Sequence, residues 1–110
     1  MPSFSKNEVI LVRYPFSDLT ATKIRPAVVV SDRPAFNDYL IVPVTSRTKS
    51  LGSGEFVLAD WRTAGLNMPS AVKWGVYTVH QSLVLKSVGK LSSQDAQQVE
   101  QSLRRWFGLF

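Results

Sequence analysis

Short apolar runs separated by polar segments occupy the first 80 residues of the chain. These runs are rich in Val, Ile, Tyr and Phe, which favour β-strands, and turn-forming residues separate them. The unbroken run 28–30 (Val-Val-Val) predicts a buried strand, whereas Pro43 predicts an edge strand or a bulge. The predicted strands cover 9–14, 25–31, 39–46, 55–59 and 71–79.

The last 20 residues change to a helical period. Ser92 or Ser93 can cap the N-terminus of a helix, and Gly108 can terminate it. One apolar stripe then faces the core, so the sequence predicts an amphipathic helix within 91–110. The stripe consists of Ala96, Val99, Leu103 and Trp106 or Phe107.

The order of these elements favours a mainly β fold with a C-terminal helix. Several short strands precede one helix, and no long crossover helices separate the strands, so a parallel α/β sheet is not expected. We expect a small, curled antiparallel sheet or barrel with the helix packed on it. A length of 110 residues fits one domain over 1–110. The polar loop 47–54 contains two cations and two glycines, which predicts a mobile segment.

The chain is basic and contains no cysteine. Thirteen Lys and Arg against eight Asp and Glu give a net charge of +5. This excess favours partners such as RNA, DNA or an acidic protein, although many small basic proteins bind no nucleic acid. No apolar run approaches the roughly 20 residues of a membrane span, and the N-terminus lacks a signal-peptide pattern. A cytoplasmic protein with no membrane contact is therefore expected.

Few catalytic residue types are present. His80 is the only histidine, so a two-histidine acid–base pair or a multi-histidine metal site cannot form within one chain. The P-loop and the Rossmann glycine fingerprint are absent, and no Asp-x-Asp pair suggests a magnesium site. We expect no metal and no cofactor. Any catalysis would rest on arginine, hydroxyl groups, one carboxylate or His80.

Cleavage of RNA suits these residue types, because RNA carries its own nucleophile, the 2′-hydroxyl beside the scissile phosphate. The protein then has to position that phosphate, stabilise the charge of the transition state and assist proton transfer. A planar guanidinium matches two phosphate oxygens, and a hydroxyl adds a directed hydrogen bond. Arg25 and Thr45 would supply these groups if the second and third strands end side by side.

Two motifs resemble the MazF/PemK family of toxin endoribonucleases. Within ILVRYPFSDLTATKIRPAVVVS (10–31), Arg25-Pro26-Ala27 matches the Arg-Pro-Ala segment that follows a strand and a polar loop in the family. Within IVPVTS (41–46), Pro43-Val44-Thr45-Ser46 matches the Pro-x-Thr/Ser strand end. The closing helix also lies where the family has its C-terminal helix, so the resemblance covers nearly the whole chain.

The resemblance implies an SH3-like barrel of the CcdB/MazF type that forms a homodimer. It implies sequence-selective cleavage of single-stranded RNA without a metal, which leaves a 2′,3′-cyclic phosphate and a 5′-hydroxyl. It also implies a cognate antitoxin, a protein whose acidic, partly disordered segment covers the RNA groove of the toxin.

The resemblance further implies roles for individual residues. Arg25 would stabilise the transition state and carry a proton, while Thr45 would orient the phosphate with help from Ser46. The loop 17–23 would gate the RNA groove, with Asp18 ordering the loop and Lys23 contacting a phosphate. In the loop after Thr45, Arg47 and Lys49 are either contacts to the RNA backbone or solvated cations.

The chain departs from the family in YTVHQS (77–82). Thr78 and His80 stand where some family members carry an arginine and an aspartate. His80 is therefore a candidate for proton transfer, because an imidazole titrates near neutral pH, or else a structural histidine on a core face. Trp61 and Trp74 either stack on bases or pack in the core or a dimer interface.

Two other functions stay open on the sequence alone. The related CcdB fold poisons DNA gyrase by binding it, and one small barrel can support either role. A non-catalytic barrel would bind RNA and leave it intact. The pair of Arg25 and Thr45 favours the nuclease.

Overall fold

Seven β-strands, a 3₁₀ turn and one α-helix form the regular structure of the described residues. The computed structural model describes residues 3–14, 23–32 and 36–109. In chain order the strands are β1 (Glu8–Tyr14), β2 (Lys23–Val29), β3 (Asp38–Thr45), β4 (Phe56–Val57), β5 (Ala71–Val72), β6 (Tyr77–His80) and β7 (Val84–Lys90). The 3₁₀ turn spans Gln81–Leu83, and helix α1 spans Ser93–Phe107.

All pairings between these strands are antiparallel. Neighbours follow the order β4-β5-β3-β2-β1-β7, and β6 pairs with a further length of β3. Two register shifts between β1 and β7 are irregularities of the kind that bend and twist a strand. The prediction of a mainly antiparallel sheet followed by a C-terminal helix is confirmed.

Both faces of the central strands are buried, which explains their unbroken apolar runs. Successive side chains of a strand point to opposite faces, so Val28 lies in one core cluster and Val29 in the other. The first cluster joins the sheet to α1 through Val99. The second cluster is centred on Ile10, Val12, Ala27, Val29, Tyr39, Ile41 and Val79.

Helix α1 begins and ends where the sequence predicts. The backbone N–H of Asp95 donates to Ser92 Oγ at 3.2 Å, and Gly108 ends the helix with a φ of 69°. The buried Asp95 carboxylate accepts the backbone N–H groups of Ala59 and Asp60, each at 2.9 Å. These bonds fasten α1 to the turn after β4. The helix is too short and too polar to cross a membrane.

Pro43 does not mark an edge strand, because β3 has β2 on one side and both β5 and β6 on the other. Ile41 is the last β3 residue opposite β6, and Val44 is the first opposite β5. Lys73 N–H donates to the Pro43 carbonyl at 2.9 Å. The backbone N and O of one strand residue point to the same side. The nitrogen of Pro43, which carries no hydrogen, therefore lies at the gap between β6 and β5, where no strand needs a donor from β3.

The predicted strand 71–79 consists of two strands, β5 and β6, that are separated by a break. Gly75 lies in the break with a φ of 128°, a conformation that side chains disfavour. Strand β7 has no counterpart among the predicted strands, because Lys86, Ser87 and Lys90 interrupt its apolar pattern. This segment forms a strand because it pairs with β1, and a local sequence pattern does not reveal that pairing.

Candidate nucleic-acid interface

A groove of about 610 Å³ opens at the neighbouring ends of β2 and β3. Residues from the loop after β3, from the turn before β4 and from the break after β5 complete its walls. Among the residues that the structure describes, four cations and one carboxylate line the groove: Arg25, Arg47, Lys49 and Lys73, and Glu55. A concave surface lined mostly by one sign of charge attracts polyanions.

Arg25 and Thr45 both line this groove, and the strands β2 and β3 that carry them are neighbours in the sheet. The pairing of β2 with β3 places Ala27 opposite Pro43. Arg25 and Thr45 each lie two residues beyond this pair, and both residues line the groove. A step of two residues keeps the side chains on one face of the sheet. The sheet thus presents a guanidinium and a hydroxyl at a single site.

Local backbone geometry orients the Thr45 hydroxyl. The N–H of Arg47 donates to Thr45 Oγ1 at 3.1 Å, which is the bond of an ST-turn. Because Oγ1 accepts this bond, the hydroxyl hydrogen remains free to donate to a ligand. Thr45 is partly exposed, while Pro43 and Val44 before it are buried and fix the strand end.

A purely structural interpretation would pair Arg25 with Asp18 or Asp32; Asp18 lies outside the described residues, and Asp32 forms no ion pair with Arg25. Within 3–14, 23–32 and 36–109, the one ion pair joins Arg104 to Glu100. The exposed Arg25 side chain therefore presents its planar set of donors to an incoming anion.

The loop after β3 supplies three of the predicted site residues. Ser46, Arg47 and Lys49 are exposed and line the groove beside Thr45. Lys23 is exposed at the start of β2, two residues before Arg25 and hence on the same face of that strand. The predicted residues of β2, β3 and this loop therefore lie at one end of the sheet.

Lys73 and Glu55 belong to the groove although the sequence did not indicate them. Glu55 Oε1 accepts the N–H of Gly52 and Glu55 Oε2 accepts that of Trp74, each at 2.7 Å. These two bonds and the charge of Lys73 hold the pKa of Glu55 below its ordinary value of 4.5. Glu55 is therefore ionised near neutral pH, and it ties the turn before β4 to the break after β5.

The second half of the loop 47–54 is anchored to α1, unlike the mobile segment predicted there. Ser102 Oγ donates to the Gly54 carbonyl at 2.6 Å, and Trp106 Nε1 donates to the Ser53 carbonyl at 2.9 Å. A Cβ on Gly54 would approach Trp106 Nε1 to 2.3 Å, so glycine is required for this close packing.

His80 is not brought to the groove within one chain. It pairs with Asp38 at the start of β3, roughly 20 Å along the strand from Thr45. Its Nδ1 accepts the N–H of Ser82 at 3.1 Å and caps the 3₁₀ turn. His80 and Thr78 on β6 are exposed, as is Trp74 before the break, and only Val76 of the predicted face is partly buried. The interpretation of that face as core is therefore wrong for His80.

The two tryptophans occupy different environments. Trp61 is partly buried against the core, and the Arg62 guanidinium lies 4.4 Å from its ring centroid. Trp74 is 57% exposed and makes an edge-to-face contact with Trp106, with ring centroids 5.0 Å apart. Trp74 is therefore not a core residue.

Asp18 and most of the loop 17–23 lie outside the described residues, so their predicted roles stay predictions. In the part of the chain that the structure describes, no group of three or more His, Cys, Asp or Glu side chains is arranged to hold a metal ion.

Solved structures of toxins share the fold of this chain. *Mycobacterium tuberculosis* toxin MazF-mt6 matches with a TM-score of 0.75 and 19% identity, over 94% of this chain and 98% of the other. The MazE-MazF structure from *Deinococcus radiodurans* matches with a TM-score of 0.76 and 16% identity over 100% of both chains. An endoribonuclease in complex with its cognate antitoxin, from a mycobacterial species, matches with a TM-score of 0.74 and 15% identity. That match covers 100% of this chain and 98% of the other.

Sequence comparison identifies the family. No curated protein matches the chain. Residues 5–107 match the sequence profile of the PemK-like, MazF-like toxins of type II toxin-antitoxin systems. This match spans nearly all of the sequence and includes both Arg25-Pro26-Ala27 and Pro43-Val44-Thr45-Ser46. The chain therefore belongs to the PemK-like, MazF-like toxin family.

Proposed function

We propose that this toxin is an endoribonuclease that cleaves single-stranded RNA without a metal ion. The observation that carries the proposal is that Arg25 and Thr45, from the neighbouring strands β2 and β3, line one groove together with three further cations. One side chain there stabilises phosphate charge and the other orients a phosphate oxygen, while the loop cations hold the neighbouring phosphates.

In the proposed reaction the RNA 2′-oxygen attacks the adjacent phosphorus atom. The bond from phosphorus to the 2′-oxygen forms as the bond to the 5′-oxygen breaks. Water takes the 2′-hydroxyl proton, Arg25 delivers a proton to the leaving 5′-oxygen, and the hydronium ion so formed returns a proton to Arg25. The products are a 2′,3′-cyclic phosphate and a 5′-hydroxyl. Arg25 and the Thr45 hydroxyl stabilise the extra negative charge on the phosphate oxygens, as oxyanion-hole donors do.

The partners follow from the same surface. We propose a homodimer, inhibited by an antitoxin whose acidic segment covers the cationic groove. Charge complementarity supports this binding mode, and one of the similar structures contains an endoribonuclease with its cognate antitoxin. In this scheme RNA and the antitoxin compete for Arg25, Arg47, Lys49 and Lys73.

The test is cleavage of a long single-stranded RNA in excess EDTA, with chemical analysis of the new ends. We expect discrete cuts that carry cyclic-phosphate and 5′-hydroxyl ends. Arg25→Ala should lower the cleavage rate about 10²–10³-fold, because it removes the donors to the transition state. Arg25→Lys should recover only part of the rate, because an ammonium lacks the bidentate geometry.

Arg13→Ala is the matched control. Arg13 is also exposed. Val12 pairs with Arg25, and Arg13 pairs with Ile24. The Arg13 side chain therefore lies on the face of the sheet opposite to that of Arg25. Its loss should leave the rate nearly unchanged. Intact RNA with a folded wild-type protein would refute the nuclease proposal, and cleavage that survives Arg25→Ala would remove Arg25 from the centre of the site.

A further inference from the structure

We propose that an unpaired nucleobase of the bound RNA stacks on Trp74, in a subsite next to the cationic groove. This inference rests on the proposed function and extends its binding site beyond the scissile phosphate. The subsite is a second, open cavity of about 490 Å³, lined by Ser53, Glu55, Trp74, Arg105 and Trp106.

The subsite adjoins the cationic groove, because Glu55 lines both cavities. Lys73 lines the groove and immediately precedes Trp74. An RNA strand that leaves Arg25 and Thr45 past Lys73 therefore comes next to the Trp74 ring.

The geometry of the tryptophan pair leaves an aromatic face open. Trp74 and Trp106 meet at an interplanar angle of 77°. In an edge-to-face pair each ring keeps at least one free face, and Trp74 is 57% exposed. Every nucleobase offers a π-face, and base–aromatic stacking is the usual contact of single-stranded RNA with proteins.

The tryptophan pair is held in place by its surroundings, as a preformed site requires. Glu55 Oε2 accepts the Trp74 backbone N–H at 2.7 Å. The Trp106 indole N–H donates to the Ser53 carbonyl at 2.9 Å, and the ring packs against Gly54. Little conformational freedom is then lost when a base binds.

The charges around Trp74 favour a nucleotide whose phosphates lie outside and whose base points inward. Lys73 and Arg105 are exposed cations on the groove side and the helix side of the subsite. The ionised Glu55 also lines the subsite and repels phosphate. A nucleotide bound here would place its phosphates near the two cations and its base over Trp74.

The test uses uncleavable 2′-O-methyl RNA of 4 and 12 nucleotides, with binding measured by fluorescence anisotropy of an end label. Trp74→Ala should weaken binding of the 12-mer by about 5- to 100-fold, the range expected for one lost stacking contact. Trp74→Phe keeps an aromatic face and should remain within about threefold of the wild type. Phe107→Ala is the matched control, because Phe107 is 62% exposed but does not line the subsite.

A 12-mer with abasic sugars separates stacking from backbone binding. If Trp74 stacks on a base, Trp74→Ala should leave the affinity for the abasic 12-mer unchanged. Equal affinities of wild type and Trp74→Ala for the normal 12-mer would overturn the proposed subsite. Contact with a protein partner would then be the alternative role of the exposed ring. Cleavage of long RNA by the wild type is scored separately, so the subsite can fail while the nuclease proposal stands.

Discussion

At the residue scale, the sequence could predict Arg25 and Thr45 because each lies near a strand end within a recognisable motif. Glu55 and Lys73 could not be predicted in the same way. They reach the groove from the turn before β4 and the break after β5, and neither segment has a motif. The placement of Lys73 depends on the gap beside Pro43, where its N–H donates to the Pro43 carbonyl in place of a strand partner. A pairing of that kind is a property of the sheet and not of the local sequence. Glu55 is placed by its bonds to the N–H groups of Gly52 and Trp74.

The Thr45 hydroxyl gives the first prediction. Thr45→Val keeps the β-branched shape and removes the hydroxyl, so the ST-turn bond to Arg47 N–H and the donor to phosphate are both lost. We expect a fall in cleavage rate of about 10²-fold, the effect of one lost oxyanion-hole donor. Single-turnover cleavage of a labelled RNA measures the rate.

Thr45→Ser is the matched control for this prediction, because serine keeps the hydroxyl and can form the same turn. It should remain within about tenfold of the wild type. A Thr45→Val protein that cleaves as fast as Thr45→Ser would show that the hydroxyl takes no part in the reaction.

Glu55 gives a prediction about pH. The pKa of Glu55 is lower in the folded protein than its ordinary value of 4.5, so ionised Glu55 stabilises the fold above that value. This contribution falls as the pH drops through the lowered pKa. Glu55→Gln should therefore be less stable than the wild type at pH 7, and the difference should shrink below about pH 4.

Urea unfolding at pH 7, 5 and 3 measures this effect. Glu100→Gln is the control, because Glu100 is exposed on α1 and its contact with Arg104 is 4.0 Å long, where an ion pair contributes little. A Glu55→Gln difference that stays constant over this pH range would contradict the assigned role of the Glu55 charge.

At the element scale, patterns with a strong period predicted the structure and patterns with a weak period did not. Helix α1 has an apolar stripe, a serine cap and a glycine stop, so its bounds could be predicted closely. Apolar and polar residues alternate poorly in β7, because lysines and a serine interrupt the apolar positions. Strands β5 and β6 were predicted as one strand, because Gly75 alone marks the break between them. The anchoring of the loop 47–54 depends on Ser102 and Trp106, about 50 residues away, which no local pattern contains.

Asp95 gives a prediction about how α1 is held. It is buried, and its carboxylate is the acceptor for two backbone N–H groups after β4. Asp95→Ala leaves both donors without a partner, and each unsatisfied buried group costs about 1–3 kcal/mol. We expect the free energy of unfolding to fall by about 2–4 kcal/mol.

Chemical denaturation followed by circular dichroism measures this change. Glu100→Ala on the exposed side of α1 should change the free energy of unfolding by less than about 0.5 kcal/mol. Equal stabilities of the two variants would show that the Asp95 contacts do not hold the helix to the sheet.

At the scale of the whole molecule, the fold gathers part of the net positive charge of +5 on one surface. Four of the thirteen basic residues line one groove at the ends of β2 and β3, although they come from three separate segments of the chain. Composition could predict a polyanionic partner but not where it binds. The fold concentrates the charge beside Arg25 and Thr45, so the site that attracts RNA is also the site proposed to cleave it.

The salt dependence of RNA binding tests this concentration of charge. Each cation that contacts a phosphate releases counterions, so the logarithm of the affinity for single-stranded RNA falls with the logarithm of the salt concentration, with a slope of about −0.7 per contact. Four groove cations give a slope of about −3 for uncleavable 2′-O-methyl RNA. Arg47→Ala should reduce the slope by about 0.7, whereas Lys86→Ala on β7, away from the groove, should leave it unchanged. A wild-type slope near zero would show that RNA binding does not depend on the groove cations, because screening by salt weakens contacts between charges and not apolar ones.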